Sequence, residues 1–196
     1  MTSFGSFENS VANVLSTAEM WLGEGVCSLV LAVCGDEVSR LISQGVSEIL
    51  NSSGAGPCPP GEACVTLLLE KAAEEREGVS LSVAALGADF GDIRGVLDKS
   101  GVRHVVFSHF SEMRRDFASE SASVLEDFLS AEYSSLSGCF PTSAAFDLAV
   151  AAMLLGGGSF LRSPEGGLEG GAKSVAVVDY AGFSGFNVYI LERCGA

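Results

Sequence analysis

The sequence predicts an α/β domain built on a doubly wound, largely parallel sheet, and three segments carry that expectation. CSLVLAVCG (27–35), VSLSVAALG (79–87) and RHVVFSHF (103–110) are short, mostly apolar runs of strand length, as suits strands covered on both faces. Each is followed by a stretch with helical spacing. Alternation of strand and helix implies parallel pairing through right-handed crossovers.

Ahead of the first strand, residues 8–22 place Val11, Val14, Leu15, Ala18 and Leu22 on one helical stripe, and Gly23 and Gly25 end that helix. Behind it, Val38, Leu41, Ile42, Val46, Ile49 and Leu50 predict a helix over 36–50 that Asp36 can cap. A proline-bearing loop follows at 51–61. Residues 62–77 turn from apolar to charged and read as one helix with room for a short strand at its front. After the second strand comes a helix over 92–101, and after the third a long helix over 111–133. GCFPTS (138–143) suits a short strand end before a helix that Gly156 to Gly158 stop. Residues 163–173 have linker composition, and the tail, two β-rich runs around AGFSG, reads as a hairpin added at a sheet edge. The domain division is then an N-terminal helix at 1–25, a core at 26–164 and a linker with hairpin at 165–196.

Composition narrows the function. The 196 residues carry a net charge of -14 with only 11 Lys and Arg, so the chain would repel a phosphate backbone, and direct nucleic-acid binding is not expected. No apolar run approaches the ~20 residues that span a bilayer, and the first residues lack a secretory pattern, so a cytoplasmic protein is expected. The six cysteines form no CxxC pair and read as free thiols in a reducing compartment.

VLAVCGDEVSRLISQGVSEIL resembles the first strand and helix of response-regulator receiver domains. RHVVFSHFS resembles their fourth strand, and GCFPTSAAFDLAVAAMLLGGGSFLRSP the fifth strand, last helix and exit of receivers of the LuxR type. The resemblance covers 27–164 and implies a flavodoxin-like three-layer sandwich. It also implies a phosphorylation pocket of acidic pair, acceptor Asp, Ser or Thr, and Lys, in which carboxylates hold Mg²⁺ and attack phosphorus. Here those positions fall on Cys34, Gly35, Ala85 or its neighbour Ala84, and Thr142, and only Ser108 matches, with Asp36 one place beyond the acidic pair. A degenerate pseudo-receiver follows. It would be a regulatory protein of two-component signalling or transcription that is not an enzyme, needs no phosphorylation, cofactor or metal, and acts by contact as a homodimer or with a regulatory partner. Val14, Leu15, Phe183, Phe186 and Tyr189 are its expected interface.

Two alternatives stand beside this. GLEGGAKS (167–174) approaches a phosphate-cradling loop and would suit a small nucleotide- or phosphate-dependent enzyme if a helix followed Lys173. A purely structural assembly protein would join subunits through its leading helix and terminal hairpin. The two histidines, His104 and His109, are five apart on one predicted strand, so they face opposite ways and share no metal.

Overall fold

The computed structural model describes residues 9–36, 63–72, 77–108, 127–133, 142–156, 172–181 and 185–195. The expected helix over 37–50, most of that over 111–133, His109 and Phe183 lie outside these residues, and where the helix over 111–133 is described, Leu129–Glu132 form a strand instead. Three described helices, α1 (Ser10–Gly23), α2 (Phe90–Lys99) and α3 (Ser143–Leu155), accompany seven strands in two sheets.

The smaller sheet is an antiparallel pair, β1 (Leu29–Asp36) with β2 (Ala63–Glu70). Where helix was the main expectation for 62–77, the chain forms a strand. Val65, Leu67 and Leu69 point inward while Thr66, Leu68 and Glu70 point outward, a period of two. An eight-residue apolar run is locally ambiguous, and the full ladder with β1 decides it.

The larger sheet holds β3 (Gly78–Ala88), β4 (His104–Ser108), β5 (Leu129–Glu132), β6 (Ser174–Tyr180) and β7 (Phe186–Cys194), in the order β3-β7-β6-β4-β5. Strand β4 runs parallel to β5 and β6, and β7 runs antiparallel to both its neighbours. This mixed sheet corrects the doubly wound parallel sheet of a receiver. The opening strand β1 lies in the other sheet, and the terminal pair β6–β7 sits inside the large sheet rather than at its edge. The reason is burial. Phe186 to Leu191 are buried without interruption, so both faces of β7 are covered, and its backbone is bonded on both sides by β3 and β6.

Helices α1 and α3 form a layer between the sheets. Val11 and Leu15 of α1 and Leu148, Ala151 and Leu155 of α3 pack with Cys34 and Val65 of the small sheet, and with Val106, Val177 and Tyr189 of the large one. Helix α2 covers the opposite face of the large sheet, where Phe90, Ile93 and Leu97 meet Phe107, Ala176, Val178, Phe186 and Ile190. The layers run small sheet, α1 and α3, large sheet, α2. No described helix is long and apolar enough to cross a membrane.

The unit α1–β1–β2 is built like α3–β6–β7, a helix followed by an antiparallel pair in the same register. Leu29, Val30, Ala32 and Cys34 oppose Glu70, Leu69, Leu67 and Val65. Ser174, Val175, Val177 and Asp179 oppose Glu192, Leu191, Tyr189 and Asn187 in the same steps. The second strands end alike, in LLLEK and YILER.

Gly185, just before β7, has φ 82°, and a Cβ there would come within 2.8 Å of the Ala88 carbonyl oxygen, so the close approach to the end of β3 requires glycine. Replacing the fully buried Leu148 or Leu97 by alanine is expected to lower unfolding free energy by about 2–5 kcal/mol each in urea titrations, since both layers are close-packed. Met153→Ala, at an exposed position, should stay within about 0.5 kcal/mol of the parent.

Candidate functional site

The carboxyl ends of β1, β4 and β6 and the N-termini of α1 and α3 bring buried polar groups together at one end of the layers. Strand β4 ends on Ser108, which pairs in register with Asp179, one residue short of the end of β6, and β1 ends on Asp36. Thr142, the N-cap of α3, does not cap its own helix through its side chain. Instead its backbone N–H, at 2.6 Å, and its hydroxyl, at 2.5 Å, donate to the Asp36 carboxylate. A carboxylate there meets the positive end of the helix dipole and fills donors the first turn leaves open. Asn9 does the same in mirror sense at α1: it makes no side-chain cap but accepts from the Asn187 side-chain amide at 3.0 Å. That amide also lies 3.5 Å from Asp179, and the Asn187 carbonyl accepts from the Gly87 backbone N–H at 3.3 Å.

On the far side of α3, Ser108 donates to Asp147, whose carboxylate also raises the Tyr133 hydroxyl pKa after burial has done most of the work. Both Ser108 and Asp147 are buried. Between the sheets, burial first and the Asp36 carboxylate second push the Cys34 thiol above its ordinary value. Burial, then Asp179, then Cys34, push the Tyr189 hydroxyl up still further, and that hydroxyl is buried with no hydrogen-bond partner among the described residues. Chemically, this end offers hydroxyl and amide donors and held carboxylates. Its buried thiol is kept protonated and is a poor nucleophile.

Of the expected pocket residues, Asp36 and Thr142 are bonded to each other, and Cys34 and Gly35 adjoin them on β1. Ser108 is turned to Asp147 instead. Ala85 stands apart, packed toward the cluster under α2 on the other face of the large sheet. Of the expected interface residues, Leu15, Phe186 and Tyr189 are buried in the chain's own core and Val14 packs against it. Reasoning from sequence missed Asn9, Asp147 and Asn187. Asp147 carried a signal, being the one charged residue in an otherwise apolar helix. Lys173 leads straight into strand β6, so the helix that a phosphate-cradling loop requires is not formed.

No family model matches the sequence, and none of the curated proteins does. Solved structures do match. The ketosynthase from module 6 of the bacillaene synthase of Bacillus subtilis aligns with 94% of this chain and 46% of its own, at 12% identity and TM-score 0.59. The ishigamide ketosynthase/chain length factor aligns with 96% and 55%, at 20% identity and TM-score 0.56. The 3-oxoacyl-(acyl carrier protein) synthase III of Pseudomonas aeruginosa aligns with 96% and 66%, at 14% identity and TM-score 0.53. The chain thus has the ketosynthase fold over nearly all its length and spans about half to two thirds of these proteins. The receiver resemblance is overturned, because the matching structures are ketosynthases and a related synthase, and this chain's sheets do not follow a receiver's order. With it go the pseudo-receiver function, the assignment to two-component signalling and the expectation that the chain is not an enzyme, since those proteins are synthases.

Stability should fall in alkali. Unfolded, Cys34 ionises near 9.0 and the tyrosines near 10.0, whereas folding holds all three protonated to higher pH. Above about pH 9 the folded state binds more protons than the unfolded one, so stability present below that value is lost as pH rises. The urea midpoint should decline there, and Cys34→Ala should flatten the slope. An unchanged midpoint up to about pH 10.5 would contradict this. Tyr189→Phe removes a buried hydroxyl that has no hydrogen-bond partner among the described residues, and is expected to be neutral or to raise stability by about 1 kcal/mol in the same titration.

Proposed function

We propose that this chain forms part of a ketosynthase-type condensing unit and that its polar end serves acyl groups presented as thioesters by an acyl carrier protein. One observation carries the reading: the ketosynthase fold extends over 94–98% of the chain, including both sheets and the helices between them. Among the structures that share it is a ketosynthase in complex with its acyl-carrier protein.

Joining two acyl units needs a nucleophile to take the first acyl group and donors aimed at the oxygens that gain charge. The described residues bear on the second task by position, with the Thr142 donors themselves committed to Asp36 and the Asn187 amide to Asn9. Thr142 and the first turn of α3, with Asn187 and Asn9 opposite, line a polar end backed by an apolar core. Cys34 does not suit the first task, because burial and Asp36 disfavour its thiolate. The acyl group would therefore be carried elsewhere in the unit. Asp36 acts here as a positioning residue that fixes the N-terminus of α3 against β1.

The test is titration of the protein with an octanoyl thioester of acyl carrier protein, followed by fluorescence anisotropy and intact-mass analysis. Saturable binding is expected, with no acyl adduct on Cys34 and with binding weakened roughly tenfold by Asp36→Ala, which removes both hydrogen bonds that fix the N-terminus of α3. Absence of binding to both the loaded and the unloaded carrier would remove the reading.

A further inference from the structure

The two helix–strand–strand units hold each other crosswise. Helix α3 of the second unit is fixed by Asp36, on β1 of the first, and α1 of the first unit is fixed by Asn187, on β7 of the second. The bonded residues are 106 and 178 apart in the chain. In both helices the N-cap leaves its own first turn without a side-chain cap and turns its side chain across the layers instead.

Asn187 is 1% exposed, and its carboxamide meets three elements. Its amide group donates to Asn9 before α1 at 3.0 Å and lies 3.5 Å from Asp179 on β6. Its carbonyl accepts from the Gly87 backbone N–H at 3.3 Å, where a register shift between Ala85 and Ala88 breaks the regular β3–β7 ladder and Gly87 takes φ 60°. These partners fix which way the amide faces, since turning it over would set its oxygen against the oxygens of Asn9 and Asp179. Close substitutes fail. Leucine has the size without the bonds, aspartate keeps the acceptor and loses both donors, and glutamine adds a methylene to a close-packed site.

Stability alone does not call for this group. The β7 backbone is bonded by β3 and β6 whatever side chain stands at 187, and the neighbours Phe186, Val188, Ile190 and Leu191 already bring apolar bulk. A satisfied buried amide adds little net stability, and apolar groups of the same shape can replace such a set at nearly no loss. What the amide adds is direction, because its partners set the first turn of α1 against the ends of β3 and β6.

We infer that Asn187 is a positioning residue that fixes the N-terminus of α1 at the polar end, as Asp36 fixes that of α3, so that the two first turns keep one mutual geometry. Its bearing on acyl groups rests on the condensing-unit reading, in which groups on both sides of that end must stay in fixed relation to a bound thioester.

The test compares Asn187→Leu and Asn9→Ala with Asp36→Ala in the full chain, by hydrogen exchange of two amides and by binding of the octanoyl thioester of acyl carrier protein. The Asn13 N–H closes the first turn of α1 on the Asn9 carbonyl at 2.9 Å, and the Ala145 N–H closes that of α3 on the Thr142 carbonyl at 2.9 Å. Asn187→Leu and Asn9→Ala should each speed exchange at Asn13 roughly tenfold and leave Ala145 unchanged, and Asp36→Ala should do the reverse. A general loss of stability would speed both amides together. Asn9 is only half-buried, so Asn9→Ala carries the test if the core variant does not fold. Carrier binding should weaken roughly tenfold in each asparagine variant, and the double variant should bind no more weakly than Asn187→Leu, because both changes remove the same contact. Equal acceleration of both amides, no acceleration at Asn13, additive losses of binding, or parental binding in the asparagine variants would each overturn the inference. A parent chain that binds no carrier removes the acyl reading alone, and the exchange results then decide the positioning of α1.

Discussion

Helix α3 is covered on two sides, and the rest of the structure depends on that constraint. Most of its residues are buried, among them Ala144, Ala145, Leu148, Val150, Ala151 and Leu155, with apolar side chains all round rather than on one stripe. A helix of this kind is stable only inside a protein. The small sheet on one side and the large sheet on the other provide the cover, and alanines at 144, 145 and 151 let the layers approach. Because α3 is enclosed, its N-terminus cannot be left to water. Thr142 reaches across to Asp36, and a polar end is set between the sheets.

The same enclosure explains the electrostatics. A thiol and a tyrosine hydroxyl caught between sheets lose hydration and find carboxylates nearby, so Cys34 and Tyr189 both keep their protons. Asp147 is accepted into a core helix because Ser108 donates to it, whereas an unpaired carboxylate in that position would be far costlier. The polar groups thus hold the ends of β4, β1 and α3 in fixed relation. A site that must orient a reacting carbonyl needs that property.

Much of the element content was legible in the sequence, and the assembly was not. Strands β1, β3, β4, β6 and β7 and all three helices fall where periodicity puts them, since those signals are local. β2 read mainly as a helix because eight apolar-rich residues run into a charge cluster, and only the ladder to β1 separates the two forms. The nearly continuous apolar character of β1 suggested a strand covered on both faces, yet Leu29, Leu31 and Val33 are exposed while Ala32 and Cys34 are buried. The α/β alternation then led to a single parallel sheet, because nothing local records that β1 and β4 belong to different sheets. The Asp36–Thr142 contact joins residues 106 apart, across that division, and no spacing rule reaches it.

The two copies of the helix–strand–strand unit show what register does and does not determine. Identical pairing steps give each copy an inner face of comparable burial, since Val65 and Cys34 meet the central core as Tyr189 and Val177 do. Burial of the outer face depends instead on what lies beyond the pair. A two-stranded sheet alone is marginal in water, and this one keeps its place through α1 and α3 on a single side. Leu31 and Leu68 oppose each other on the other side, where cross-strand apolar pairs add little while they stay wet. The exposed apolar outer face of this pair therefore contributes little to the stability of the chain.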